Sequence, residues 1–200
     1  MKKLIFLGLT LLLITFTGSS IYAQEGLYKA EDNLHSVSVT GTSTLHGWTV
    51  SVKEVTNVPD TLQLAGLSLG SIDHFSFGVV TETMDGGRGA AMNKKITTAL
   101  KSDEFSEITY RQTQTASLKE TGEPGHFQLL STGILSIAGN EQEVEVAVTG
   151  QLTAEGQLTF KGSKALKFSD FDIEPPSAMF GQIVCGDEIT VHFEFHYIKA

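Results

Sequence analysis

The chain has 200 residues, with 14 lysines and arginines against 23 aspartates and glutamates, a formal net charge of −9 and one cysteine. That acidic balance lacks the electrostatic footprint of a nucleic-acid binder, and it would be repelled by an anionic membrane surface, so membrane contact would have to be transient. Cys185 stands alone, so no internal disulfide can form and the fold must hold by packing; an unpaired cysteine is expected in the core.

The chain opens MKKLIFLGLTLLLITFTGSSIYAQ. Lys2 and Lys3 precede an apolar run from Leu4 to Phe16, and small residues follow up to Ala23. This is the layout of a secretory signal peptide, with cleavage expected between Ala23 and Gln24. The run is about 13 residues long, short of the roughly 20 that span a bilayer. Losing residues 1–23 leaves 177 residues and takes the charge to −11, since Lys2 and Lys3 go with them. Residues 24–200 read as one domain, expected in a periplasm-like or extracellular space.

Most of the remaining chain has period two. In HSVSVT (35–40) Val37 and Val39 share a face, and in WTVSVK (48–53) Trp48, Val50 and Val52 do. Leu62/Leu64, Leu67/Leu69 and Phe75/Phe77/Val79 follow. Residues 90–102 differ: Met92, Ile96, Ala99 and Leu100 recur at helical spacing after Gly86, Gly87 and Gly89, which predicts a short amphipathic helix. Strands resume at Ile108/Tyr110 and run through 113–118, and ETGEPG (120–125) is a turn by composition. Phe127/Leu129 and Leu135/Ile137 lead to a hairpin signal at Gly139-Asn140, with Val144, Val146 and Val148 running back. Gly156 marks another reversal, and Pro175-Pro176 ends a strand or sets an extended link. The last strand is expected from Glu188 to Ile198. Eight to ten short strands and one helix predict an all-β fold. A long antiparallel sheet commonly hides its edges by closing into a barrel.

Several residues are of types that can carry chemistry. His192, Glu194 and His196 share one face of the last strand, about 6.8 Å apart per two residues. All three cannot converge on one ion, although two with partners from a neighbouring strand could; otherwise the row is a solvated outer face. His46, beside Gly47 and Trp48, could be a base or ligand, but no Ser or Cys nucleophile motif accompanies it. Arg88 in GGRG could meet an anion. The residues call for no cofactor and no catalytic site. The opposite row of the last strand, Val191, Phe193, Phe195 and Tyr197, joins many other phenylalanines. A barrel of about eight strands is either filled by such side chains, as a structural, stress-related or interaction module, or lined by them around a ligand.

Four stretches, in this order, resemble the YceI-like family of secreted bacterial proteins. They are GTSTLHGW (Gly41–Trp48), LKSDEFSEITY (100–110), STGILSIAGNEQ (131–142) and PPSAMFGQIVCGDEI (175–189). Ser106, Gly47 and the Arg88-Gly89 pair depart from the family pattern, which usually has a proline, an acidic residue and a basic-acidic pair there. The resemblance implies an extended lipocalin-like antiparallel β-barrel of about eight strands with a helix near 90–102. It also implies an isoprenoid, quinone, fatty amide or other lipid-like small molecule in an apolar tunnel, and a possible homodimer, since several relatives are dimers. Carried onto this chain, the expected tunnel residues are Trp48, Phe75, Phe77, Met92, Leu100, Phe105, Ile108, Tyr110, Leu129, Ile137, Phe168, Phe193 and Phe195. No metal is implied.

Overall fold

Alternating apolar and polar residues commit each strand to one wet and one dry face, and a sheet of such strands curls to bury the dry one. The computed structural model describes residues 26–31, 34–64 and 71–200. The expected signal peptide and the Leu67/Leu69 row therefore lie outside the described residues. Short strands β1 (Gly26–Ala30), β4 (Val55–Thr56), β5 (Thr61–Leu64), β6 (Ser71–Ile72), β8 (Met84–Asp85), β10 (Ala116–Ser117), β11 (Lys119–Glu120) and β15 (Ser177–Ala178) decorate longer ones. The longer ones are β2 (Ser36–Ser43), β3 (Gly47–Val52), β7 (Ser76–Val80), β9 (Glu107–Gln112), β12 (His126–Ile137), β13 (Asn140–Leu152), β14 (Gln157–Lys167) and β16 (Ile183–Lys199). Among the described residues the single α-helix, α1, spans Ala90–Ala99.

The eight longer strands run in the order β7-β9-β12-β13-β14-β16-β2-β3, and every pairing is antiparallel. Past Lys53 and Glu54, β3 continues into β4, which pairs with β7 through Val55↔Val79 and Thr56↔Gly78. That joint brings the two ends of the curled sheet together and leaves few open edges. The inward rows follow the alternation: Val37, Val39 and Gly41 on β2; Trp48, Val50 and Val52 on β3; Leu158, Phe160 and Gly162 on β14.

One end of the barrel is packed. There β1 pairs with the last residues of β16 and with β5. Tyr28, Phe127, Leu158, Phe195 and Tyr197 all fall to 1 % exposure or less. The Tyr197 hydroxyl is buried without a partner among the described residues, and burial, with the charge of Asp60, pushes its pKa well above the ordinary tyrosine value.

Four boundaries differ from the sequence expectation. The helix ends at Ala99 rather than at residue 102. Lys101 takes a left-handed φ of 53°, the Lys101 amide bonds the Thr98 carbonyl, and the Ser102 amide bonds the Thr97 carbonyl, a Schellman stop. The hairpin between β12 and β13 turns at Ala138-Gly139, one residue before Gly139-Asn140: Ile137 faces Asn140, and both loop residues have positive φ, 49° and 83°. Residues 113–118 form no continuous strand, only the two-residue β10 paired to β6. The final strand starts at Ile183, and its register with β2 shifts between Cys185 and Ile189, a bulge that alternation alone would not announce.

Large rings on several walls lie over glycines on the neighbouring strand. Trp48 faces Gly41 and Phe193 faces Gly162, and a Cβ added to either glycine would collide with the ring. The Gly162→Val protein should therefore lose about 1–3 kcal/mol, the usual cost of forced overpacking, seen as a lower urea midpoint with an unchanged m-value.

Candidate functional site

Above the packed end the barrel interior stays open. It holds a cavity of about 380 Å³, within the roughly 300–1,000 Å³ typical of small-molecule pockets, and its wall is almost wholly aliphatic and aromatic. The floor is a knot of rings from opposite walls. Phe75 and Phe77 meet Phe195 with centroids 5.3 and 5.2 Å apart, Phe77 meets Tyr110 at 5.7 Å, and Phe193 packs on Phe195 at 5.6 Å.

The polar groups deep in the cavity are satisfied within the protein. Tyr110 Oη and Ser131 Oγ are 2.6 Å apart, and burial holds the phenol's pKa above its ordinary value against the opposing pull of that bond. Gln112 donates to the Ile72 and Gln114 carbonyls and accepts from the Phe75 amide.

The mouth is built by α1, the β2–β3 hairpin and the 176–185 segment. Met92, Ile96 and Ala99 turn the inner face of α1 onto the cavity. The helix is tethered at its start by Asp85, which pairs with Lys53 at 2.9 Å and accepts from the Gly87 amide and Asn93 Nδ2. Those contacts hold its carboxyl at a pKa of about 2. Lys95 Nζ donates to the Ser177 carbonyl at 2.8 Å, tying the helix to the far side of the mouth. Thr44 Oγ1 accepts from the Val184 amide and donates to the Gln182 carbonyl, so the β2–β3 hairpin and the 182–184 segment move as one rim.

A model of the YceI-like domain family matches residues 68–197, well over half the chain. The chain belongs to the YceI-like domain family. Its fold is similar to that of BcnA from Burkholderia cenocepacia, at 16% identity and a TM-score of 0.61, covering 84% of this chain and 98% of that one. It is also similar to a polyisoprenoid binding domain from Saccharophagus degradans implicated in plant cell wall breakdown, at 10% identity and a TM-score of 0.61, covering 88% and 100%. The YCEI protein of Campylobacter jejuni is a third, at 12% identity and a TM-score of 0.53, covering 76% and 84%. At these identities the likeness speaks for the fold. No curated protein matches the sequence.

In this YceI-like barrel, twelve of the thirteen expected tunnel residues line the cavity: Trp48, Phe75, Phe77, Met92, Leu100, Ile108, Tyr110, Leu129, Ile137, Phe168, Phe193 and Phe195. Phe105 does not. Its ring lies against Gly139 at the β12–β13 turn, where a missing Cβ leaves room for it. Phe105 follows the Schellman stop rather than a strand, so alternation could not place it. Val191, of the row read from the last strand, lines the cavity as well, and among the wall residues that were not anticipated are Val146, Lys164 and Ile189. Ile189 continues the Val191/Phe193/Phe195 row and could have been read from it.

The histidine row lies outside. His192 Nε2 meets Thr40 Oγ1 at 3.0 Å, while Glu194 takes His196 Nε2 at 2.9 Å and Lys161 Nζ at 3.0 Å. Among the described residues no group of three His, Cys, Asp or Glu side chains gathers to hold a metal. His46 donates from Nδ1 to the Gly47 carbonyl at 2.6 Å and accepts from Arg88 at 3.3 Å, as a neutral Nδ1–H tautomer would. Cys185 is half-buried at the rim, and burial pushes its thiol pKa up.

Two outcomes follow. Val39 faces the open interior, so Val39→Phe should leave the melting temperature within about 2 °C of the parent, whereas the same change in a filled core would cost about 1–3 kcal/mol. Asp85 has a folded pKa below its unfolded value, so its stabilisation is complete above about pH 4 and fades as pH falls towards 2. Thermal melts should show parent and Asp85→Asn converging over that window; a constant gap would mean that the carboxylate's charge is not what tethers the helix.

Proposed function

We propose that this protein binds a long-chain apolar or amphiphilic ligand, of the isoprenoid, quinone or fatty-amide kind, in its barrel cavity. It would act as an exported carrier or reservoir, as a single barrel domain after loss of residues 1–23. The observation that carries this reading is the apolar cavity of about 380 Å³, closed by aromatic rings at one end and open at the other. The fold it shares with a polyisoprenoid binding domain points the same way. The reading involves no catalytic step.

Energetics favour a shuttle over a sink. Each CH₂ taken from water into the barrel gains about 0.8 kcal/mol, but a bilayer dries the same chain equally well. Net preference is then a small difference, and loading and unloading go through contact with a membrane. The rim has the surface for brief contact. Phe180 is fully exposed at 110 %, with exposed Met179 next to it in the β15–β16 turn; Val184 at the start of β16 and Leu45 on the hairpin bonded to it are exposed as well. Such an apolar patch marks an interaction site on a soluble protein.

Native mass spectrometry of the protein, purified from its own host without detergent, tests the reading. Extra mass that leaves on collisional heating and reappears in an organic extract as a lipid is the expected result. A bare chain that also takes up no lipid from vesicles would put the filled-module reading in its place.

A further inference from the structure

The cavity wall is apolar, yet every charged side chain that reaches it is cationic. Arg88, Lys95, Lys164 and Lys167 line it, together with His46, and among the described residues no aspartate or glutamate does. In a chain where acids outnumber bases 23 to 14, that is a one-sided selection. Asp85 pairs with Lys53, Asp187 accepts from the Ser169 amide and hydroxyl, and Glu194 pairs with Lys161 and His196 on the outer face.

Three of these cations belong to the rim. Lys95 is tied to the Ser177 carbonyl, Arg88 leans on His46, and Lys167 faces Glu188 across the β14–β16 ladder. Lys164 is different. It sits in the inward row of β14, between Gly162 and Leu166 and opposite Val191. It is one inward step towards the mouth from the Phe193 ring that covers Gly162. The β13–β14 ladder ends at Val148–Gly162, and beyond that point the Lys164 ammonium donates to the Glu145 carbonyl at 2.9 Å. An ammonium has three N–H donors, and this bond uses one of them. The Lys164 side chain is half-buried along the apolar wall while its bond to Glu145 is exposed, so the remaining donors stand at the wet edge of that wall, open to a charged acceptor.

We propose that Lys164 holds the head group of an anionic amphiphile, a carboxylate or a phosphate, whose chain lies towards the aromatic floor. Arg88 and Lys95 present the same sign at the mouth and draw the anion in against the protein's net negative field. The inference rests on the cavity being a lipid site.

Trp48 is the chain's only tryptophan and lines the cavity, so its fluorescence reads occupancy. The full protein, stripped of lipid, is titrated with two pairs of probes matched in chain: oleate against oleyl alcohol, and farnesyl phosphate against farnesol. The anionic member of at least one pair should bind roughly tenfold or more tightly, the scale of one charge-assisted hydrogen bond, and the pair that shows it identifies carboxylate or phosphate. Lys164→Met should bring the anionic and neutral members of the pair to equal affinity, while Lys164→Arg should keep the preference. Equal affinities in the parent protein, a ratio that needs no variant, would overturn the head-group assignment and leave the lipid site standing. A preference that survives in a folded Lys164→Met protein would overturn the role of Lys164. Failure of all four probes to bind would sink the lipid site itself, and the proposal with it.

Discussion

The contact between Phe75 and Phe77 on one wall and Phe193 and Phe195 on another is what the rest of the barrel depends on. β7 and β16 are not hydrogen-bonded neighbours in the sheet, so only side chains can join them. Aromatic pairs at these distances contribute about 0.5–1.5 kcal/mol each beyond the area they bury. The knot divides the interior. Below it Tyr28, Phe127, Leu158 and Tyr197 pack to full burial, and above it the walls stand apart around the cavity.

A barrel this rich in large side chains could have filled itself. The glycines opposite the rings are part of why it does not. With no Cβ on Gly41 or Gly162, the Trp48 and Phe193 rings lie low over the backbone of the neighbouring strand. The volume saved is left as a cavity, and a cavity of bare apolar wall forfeits dispersion contacts that a solid core would make. A bound chain would restore them, so stability and occupancy should be coupled in this molecule. The mouth follows a different logic: α1 rests on it through a few half-buried side chains and is fixed by polar tethers at Asp85 and Lys95, a looser attachment than a packed core helix would have.

Much of the wall was legible because inward rows repeat every second residue, and Trp48/Val50/Val52 or Phe193/Phe195 announce themselves. Lys164 was not legible. A lysine in a strand reads as solvent-facing, and only its parity with Leu158, Phe160 and Leu166 hints otherwise. Phe105 failed for the opposite reason: its apolarity suggested the tunnel, but it follows a helix stop and packs on a turn glycine. The hairpin turn slipped by one residue because Ala138, not Asn140, takes the left-handed conformation beside Gly139.

The amino-acid sequence by itself determined the alternation, hence the dry and wet face of each strand, and the one helical segment among them. Those follow from backbone periodicity, which is local and survives in any fold that keeps the strands. Only the tertiary structure decided that the interior is open, which end is closed, and that a lysine stands within the apolar wall. Open volume is the difference between the circumference set by strand pairing and the side chains facing inward. That difference exists only once β3, through β4, has met β7 and residues far apart in the chain share one enclosed space.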